Sequence, residues 1–391
     1  MGVCARSPSR FRVTLIAGCA IVFAGLGLRA GAEDLTFDDV FVSGESGYHT
    51  YRIPAIAVTR GGVVLAFAEG RASRSDHAGN DIVLRRSTDS GETWGPLQVV
   101  AEDGDNALNN PCVVVLRESG RVLLVFQHYP KGTGERGAVS GITGDSICRT
   151  YILHSDDEGE TWSKPRDITA GVKRPTLVTS TASGPGNAIQ LRRGPHAGRV
   201  LVPFNQGPYG DWRVYAAYSD DLGGAWSYGA VAPAGPVGLG NEVQFVELID
   251  GRVRLNCRVQ NGNKLRQTAL SADAGETWSA LTPVPALVEP QCSGGFIRYS
   301  DPLVGEKSLL LYSGPASQSQ RVNGTVHLSY DEGATWPVSR QLVAGRFAYS
   351  VLARLSDGRV ACLFETGSDD PYERIRIARF PISWLAEGPS E

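Results

Sequence analysis

The sequence predicts an all-β fold, a six-bladed β-propeller of four-stranded antiparallel blades joined by Asp-box turns, and three observations carry that expectation. One eight-residue pattern occurs five times, from Ser87 to Trp94, Ser155 to Trp162, Ser219 to Trp226, Ser271 to Trp278 and Ser329 to Trp336, with Ser, Asp, Gly and Trp at the same offsets in each copy. Between the copies, and flanking the first and last of them, lie short apolar or alternating runs such as GVVLAFAEG, RVLLVFQ, RVLVPFN, RVRLNCRVQ, SLLLYSG and RVACLFETG, bounded by Gly, Pro, Asn and Asp. These read as strands, four to an interval, and almost no stretch sustains a helical period. The 47 glycines supply the turns that so many short strands require.

At the N-terminus, Arg6, Arg10 and Arg12 precede an apolar run from Val13 to Leu28, and Ala30-Gly31-Ala32 offers the small residues a signal peptidase reads. This predicts a signal peptide over 1–32, cleaved after Ala32, export to the exterior or the periplasm, and a single propeller domain over 33–391. An uncleaved signal anchor is the alternative for so short an apolar run. Ile16-Ala17-Gly18-Cys19 also fits a lipidation box, but the apolar run continues past Cys19, which favours simple secretion.

The first propeller strands are expected from Tyr51 to Glu69, and these are expected to join Val351 to Glu365 to close the ring. In each box the Ser and Asp side chains bond to the turn's own backbone, Gly permits positive φ at the tip, and Trp begins the next strand with its ring between sheets. The box lacks the clustered carboxylates and distal Glu of a calcium loop, so it is architecture rather than a cation site. Without the leader, Cys112, Cys148, Cys257, Cys292 and Cys362 remain, too scattered for a disulfide framework and without metal spacing. A net charge of −3 gives no electrostatic reason to expect nucleic acid or an acidic membrane as partner.

Residues outside the boxes carry the functional signal. Tyr51-Arg52-Ile53-Pro54 followed by AFAEGR, then SGPGNAIQL at Ser183 to Leu191, NEVQFVELIDGRVRLNCR at Asn241 to Arg258, RVNGTVHLSYDEGATW from Arg321, and AYSVLARL at Ala348 to Leu355 occur in that order. With the five boxes, this series resembles the sialidases, six-bladed propeller enzymes that release terminal sialic acid, over nearly all of the chain beyond the leader.

The resemblance implies an exo-α-sialidase acting by retention on sialylated glycans, glycoproteins or glycolipids. A sialoside carries a carboxylate on its anomeric carbon, which calls for planar, permanently charged donors. The three arginines that supply them in the family match Arg52, Arg258 and Arg321. Arg252, Arg254 and Arg266 lie close enough to Arg258 for a register error to exchange them. Glu365 matches the carboxylate that holds the first arginine, and Arg71 matches a position that contacts the sugar. An anionic nucleophile would approach a carbon already bearing a negative group, and sialidases use tyrosine instead. Tyr349 matches that nucleophile and Glu242 its base, which a phenol needs at neutral pH.

Asp76 matches the acid/base. It is expected on a loop at the pocket rim, with its pKa raised by partial desolvation and by the anionic sugar. Asp81 and His77 are its local competitors, and Asp81 looks more like the start of the strand DIVLRRS. The chemistry requires no metal or organic cofactor, and after leader cleavage a monomer without an integral membrane segment is expected. Two other classes stand beside this reading: a non-catalytic sialoglycan-binding propeller, and a hydrolase or transferase for a related nonulosonic acid. Transfer would need an acceptor platform, for which Tyr209, Trp212 and Tyr312 are the aromatic candidates.

Overall fold

The computed structural model of the protein describes residues 1–5, 35–236 and 238–386, and the apolar part of the leader, with Cys19 and the expected cleavage site after Ala32, lies outside the described residues. Within the compact unit Glu33–Glu391 the strands form six sheets, the blades of a propeller. Blade one holds Thr50–Val58, Val64–Arg71, Asn80–Ser87 and Gln98–Ala101 in that order. Blade two is built on Ala107–Val115, Val122–Tyr129, Arg149–Ser155 and Arg166–Asp167, and blade three on Thr181–Ser183, Val200–Gln206, Arg213–Ser219 and Ser227–Tyr228. Two short strands supplement these: Gly186–Asn187 runs parallel to Cys112 and Val113, and Ile189–Gln190 extends blade three. Blade four comprises Leu239–Glu247, Val253–Gln260, Leu265–Ser271 and Thr282–Val288, and blade five Gly295–Ser300, Leu309–Pro315, Val322–Ser329 and Val338–Arg346.

Ring closure differs from the sequence expectation. The strands from Tyr51 to Glu69 belong to blade one, and Thr36–Val42 forms the outer edge of blade six against Arg374–Phe380, followed inward by Val360–Thr366 and Ser350–Arg354. Thr36–Val42 lacks the long unbroken apolar run that marks the inner strands: as an outer strand it has one solvated face, and Asp38 and Asp39 separate Phe37 from Val40, Phe41 and Val42. Its pairing is reinforced by Asp39, which accepts from Arg376 Nε at 2.6 Å and Arg374 Nη1 at 3.0 Å. The inner strands show the opposite pattern. Val64–Arg71 is buried at every residue because each of its faces meets a neighbouring blade.

Six apolar clusters fill the gaps between successive blades. The box tryptophans Trp94, Trp162, Trp226, Trp278 and Trp336 each join one, and Trp384, outside any box, joins the sixth, between blades five and six. Trp162, for example, sits edge-on to Phe67 at 5.8 Å. These residues end the turn rather than begin the strand, since Trp94 precedes the strand Gln98–Ala101. The turn places the ring over the gap before pairing starts.

The box hydrogen bonds recur from copy to copy. Ser87 Oγ donates to Asp89 Oδ1 at 2.6 Å and accepts from Gly91 N at 2.8 Å, while Asp89 Oδ1 accepts from Thr93 N at 2.9 Å. Ser155, Asp157, Gly159 and Thr161 repeat this arrangement. Glycine is required at the tip for two reasons: Gly159 has φ +82, and a Cβ there would stand 3.0 Å from Leu65 Cδ2 of the preceding blade. Cys112, Cys148, Cys257, Cys292 and Cys362 are all free and buried. Among the described residues no helix is long and apolar enough to cross a membrane.

Candidate active site

In every blade the innermost strand runs away from one mouth of the central channel and the second strand returns to it. Residues at the start of inner strands and the end of second strands therefore meet at that mouth, however far apart they lie in sequence. Arg52, Asn109 and Glu242 are early on inner strands, Tyr349 directly precedes one, and Glu69, Arg71, Arg258 and Glu365 stand late on second strands. The pairing register shifts between Arg52 and Ala55, between Asn109 and Cys112, and between Gly240 and Val243. Such bulges release backbone groups from the ladder and re-aim side chains. Ile53 and Asn110 accordingly have positive φ, +59 and +55, and each turns its N–H to a buried carboxylate, Glu365 and Glu69.

A cavity of about 340 Å³ opens at this mouth and is lined by Arg52, Arg71, Asp76, Glu242, Arg258, Arg321 and Tyr349 among others. Glu365, fully buried, stands behind Arg52. Its Oε1 accepts from Arg52 Nε at 3.0 Å and Ile53 N at 2.8 Å, and its Oε2 from Arg52 Nη2 at 3.1 Å and Tyr349 N at 3.2 Å. One carboxylate thus orients the first arginine and the backbone of the tyrosine together.

Arg258 Nη1 lies 2.7 Å from Glu242 Oε2 and 2.9 Å from Tyr349 Oη, and Tyr349 Oη also donates to Glu242 Oε1. Arg252, Arg254 and Arg266 face elsewhere. Arg252 pairs with Asp250 in an exposed turn, Arg254 donates to Thr268, and Arg266 is wholly buried against Asn256. Arg321 differs from the other two arginines in having no carboxylate partner among the described residues. It donates from Nη1 to Tyr372 Oη at 2.8 Å and from Nη2 to the Gln291 carbonyl at 2.9 Å.

Burial drives the Tyr349 hydroxyl well above the ordinary phenol range, Glu242 adds to the rise, and Arg258, Arg321 and Arg52 only partly oppose it. The phenol is therefore neutral at neutral pH, and its hydroxyl hydrogen is directed to Glu242. Burial works to lower the pKa of Arg52 and Arg258, but Glu365 and Glu242 respectively reverse this, so both stay charged. For Arg321, also raised, the opposing influences come first from Cys292 and Tyr349.

Asp76 occupies the rim on the loop between Val64–Arg71 and Asn80–Ser87, with two-thirds of its side chain exposed. Arg71 Nη1 contacts its Oδ1 at 2.7 Å, and Arg52 Nη1 stands 3.5 Å from the same atom. Desolvation pushes its pKa up, yet Arg71 and Arg52 outweigh that and hold it below the usual carboxylate range. The expected upward shift is thus not met by the protein alone, because two guanidiniums stabilise the ionised form. Of its competitors, Asp81 accepts from Tyr48 at 2.6 Å in the strand Asn80–Ser87, and His77 lines the cavity against Tyr129.

Four further lining or supporting groups were not foreseen. Tyr372 lies 4.0 Å beneath the Arg52 guanidinium and accepts from Arg321. Glu69 is fully buried and binds Arg71 Nε at 2.8 Å, and its only sequence signal is a charge inside the apolar run VLAFAEGR. Asn110 lines the cavity and donates its N–H to Glu69 at 2.7 Å. Glu135 lines the wall and is pushed up to about 7 by burial and by the carboxylates of Glu242 and Asp76. Tyr209 and Trp212 also line the cavity, with rings 5.9 Å apart, whereas Tyr312 is buried between blades four and five and cannot serve as a platform.

The fold and this mouth define a box-bearing propeller with an arginine-rich, carboxyl-flanked pocket, and the family model described as the BNR repeat-like domain matches residues 62–362. A sialidase of Micromonospora viridifaciens is 37% identical over 379 residues, spanning 94% of this chain and 57% of that protein. Human Sialidase-3 is 31% identical, over 85% of this chain and 89% of that protein. The Hadza microbial sialidase Hz136 superposes with a TM-score of 0.79 at 26% identity, over 90% of this chain and 69% of that one. The chain belongs to the sialidase family.

Proposed function

We propose that the protein is an exo-α-sialidase that hydrolyses terminal sialic acid from glycoconjugates with retention, using Tyr349 as nucleophile. One observation carries the reading: the Tyr349 hydroxyl is bonded at once to Glu242 and to Arg258, at the base of a cavity that three arginines line. Arg52, Arg258 and Arg321 bind the substrate carboxylate. Arg321, without an acidic partner among the described residues, gains a counter-ion when that anion arrives, which supports an anionic ligand over a neutral sugar. The phenol attacks the anomeric carbon while its proton passes to Glu242, and the carbon–oxygen bond to the aglycone breaks as Asp76 protonates the leaving oxygen. Asp76 then takes a proton from water, which attacks the same carbon and releases Tyr349, whose proton returns from Glu242. Two displacements at one centre give retention.

The substrate itself supports Asp76 in the acid role. Its carboxylate, once paired with Arg52, competes for the cation that otherwise stabilises ionised Asp76, and it adds a negative charge nearby. Both effects favour the protonated form needed to donate. We further propose that the mature chain begins after Ala32, is exported and acts as a monomer. N-terminal sequencing and light scattering of the secreted protein check these points, and retention of Met1 or a stable dimer would refute them.

The decisive assay measures release of a fluorescent phenol from an α-aryl glycoside of N-acetylneuraminic acid, with Tyr349→Phe in parallel. The native chain should release it, the variant should lose nearly all normal turnover while still binding sialic acid, and proton NMR should detect the α-anomer first. Release of the β-anomer first, or equal loss of binding and turnover in a folded variant, refutes the tyrosine role. A folded native chain that binds sialic acid without releasing phenol makes it a binding propeller.

A further inference from the structure

Arg52 has an evident anchor in Glu365, but among the described residues the other two arginines have none of that kind: Arg258 contacts groups of the site and the neighbouring Gln260, and Arg321 leans on a tyrosine and a carbonyl. Glu289 supplies what is missing. It is fully buried and follows the outer strand Thr282–Val288 of blade four, where the chain crosses to blade five. Its Oε1 accepts from Val259 N at 2.9 Å, the residue after Arg258. Its Oε2 accepts from Cys292 N at 2.7 Å, the residue after Gln291, whose carbonyl receives Arg321.

We infer that Glu289 is a positioning residue that sets Arg258 and Arg321 together, as Glu365 sets Arg52 and Tyr349. The inference rests on the sialidase reading above. Glu289-Pro290-Gln291-Cys292 forms a turn in which Gln291 has φ +62, a conformation that an L-residue keeps only when its surroundings enforce it. Glu289 Oε2 closes the turn at Cys292 N. On its other side the Cys292 carbonyl accepts from Arg266 Nη1 at 2.9 Å, and Arg266 is itself fixed by Asn256 Oδ1 at 2.7 Å. The turn therefore aims the Gln291 carbonyl at Arg321, and the same carboxylate holds the backbone beside Arg258. Both bonds are charge-assisted and lie away from solvent, where a neutral amide cannot replace them: one of its ends is a donor and would face an N–H.

The test is Glu289→Gln in the full chain, read as equilibrium affinity for N-acetylneuraminic acid and for its methyl ester. The ester keeps the sugar and removes the charge that the arginines read. The native protein should prefer the acid, and the variant should lose about tenfold or more for the acid while its affinity for the ester barely changes. Glu247→Gln is the control, since Glu247 is a buried carboxylate that also binds backbone N–H groups, of Arg192 and Arg193, at the opposite mouth. It should leave the acid-to-ester ratio as in the native protein. An unchanged ratio in folded Glu289→Gln, or equal weakening of both ligands, overturns the inference. If that variant does not fold, Glu289→Asp, which keeps the charge but retracts it by one methylene, must show the reduced ratio. If neither folds, Glu289 serves folding alone and the inference is wrong. A native protein that binds neither ligand refutes the sialidase reading instead, which separates the two failures.

Discussion

Replacing Arg321 by lysine isolates what a planar guanidinium contributes at this mouth. Arginine has five N–H donors in a fixed fork, and two are already committed, one on Nη1 to Tyr372 and one on Nη2 to the Gln291 carbonyl. The remaining N–H on each of these nitrogens, or on Nε, can face a carboxylate as a pair. Lysine keeps the charge but presents it at one atom, so at least one charge-assisted bond to the ligand is lost. Such bonds contribute about 1.5 to 3 kcal/mol, which corresponds to roughly ten- to a hundredfold in affinity. On the proposed placement Arg321 holds the substrate carboxylate in both ground and transition states, so the loss should appear in KM and not in kcat. The assay is steady-state hydrolysis of an α-aryl sialoside, with product affinity measured separately. An unchanged KM with a collapsed kcat would refute the placement of Arg321 on the substrate carboxylate.

Glu365→Gln should cost about 3 to 5 kcal/mol in denaturant unfolding and abolish activity, since it strands a buried guanidinium and two backbone N–H groups; near-native stability would show that Arg52 has another anchor. Gly159→Ala should destabilise by about 1 to 3 kcal/mol, combining positive φ with contact on Leu65, yet leave kcat/KM intact because the boxes follow third strands at the rim away from the site. A large kcat/KM effect in that variant would break the separation of box from site. For Glu135, burial raises the folded pKa from 4.5 to about 7, so the carboxyl stays protonated in the folded state while the unfolded chain ionises. Its penalty is absent below pH 4.5, grows as pH rises towards 7 and is complete above that. Glu135→Gln should therefore gain stability over the native protein across this window, and parallel pH profiles of unfolding would refute the assignment.

The parts of the site that were legible in advance share one property: they sit inside local sequence patterns. Arg52 lies in Tyr51-Arg52-Ile53-Pro54, Arg321 heads a box-bearing strand, and Tyr349 precedes the run that forms Ser350–Arg354. Tyr372 in SDDPYERIRI and Glu135 in KGTGERG carry no such mark, because their place in the cavity depends on loops whose path is set by distant blades. Glu69 showed only as a charge in an apolar strand, and its partner Arg71 lies two residues away on the same face, where strand periodicity puts it.

By itself the sequence determined the all-β class, the repeating blade and the turn chemistry, since these follow from periodicity and from residues that bond within eight positions of one another. Tertiary structure decided how the ring closes and how the charges balance. Thr36–Val42 pairs with Arg374–Phe380, more than three hundred residues later, and nothing local distinguishes that strand from any other exposed edge. Asp76 is held ionised by Arg71 and Arg52, and Glu289 spans the backbones of Arg258 and Arg321. Such effects depend on separations of a few ångströms between groups on different strands or blades, and a propeller creates those separations only once its last strand is in place.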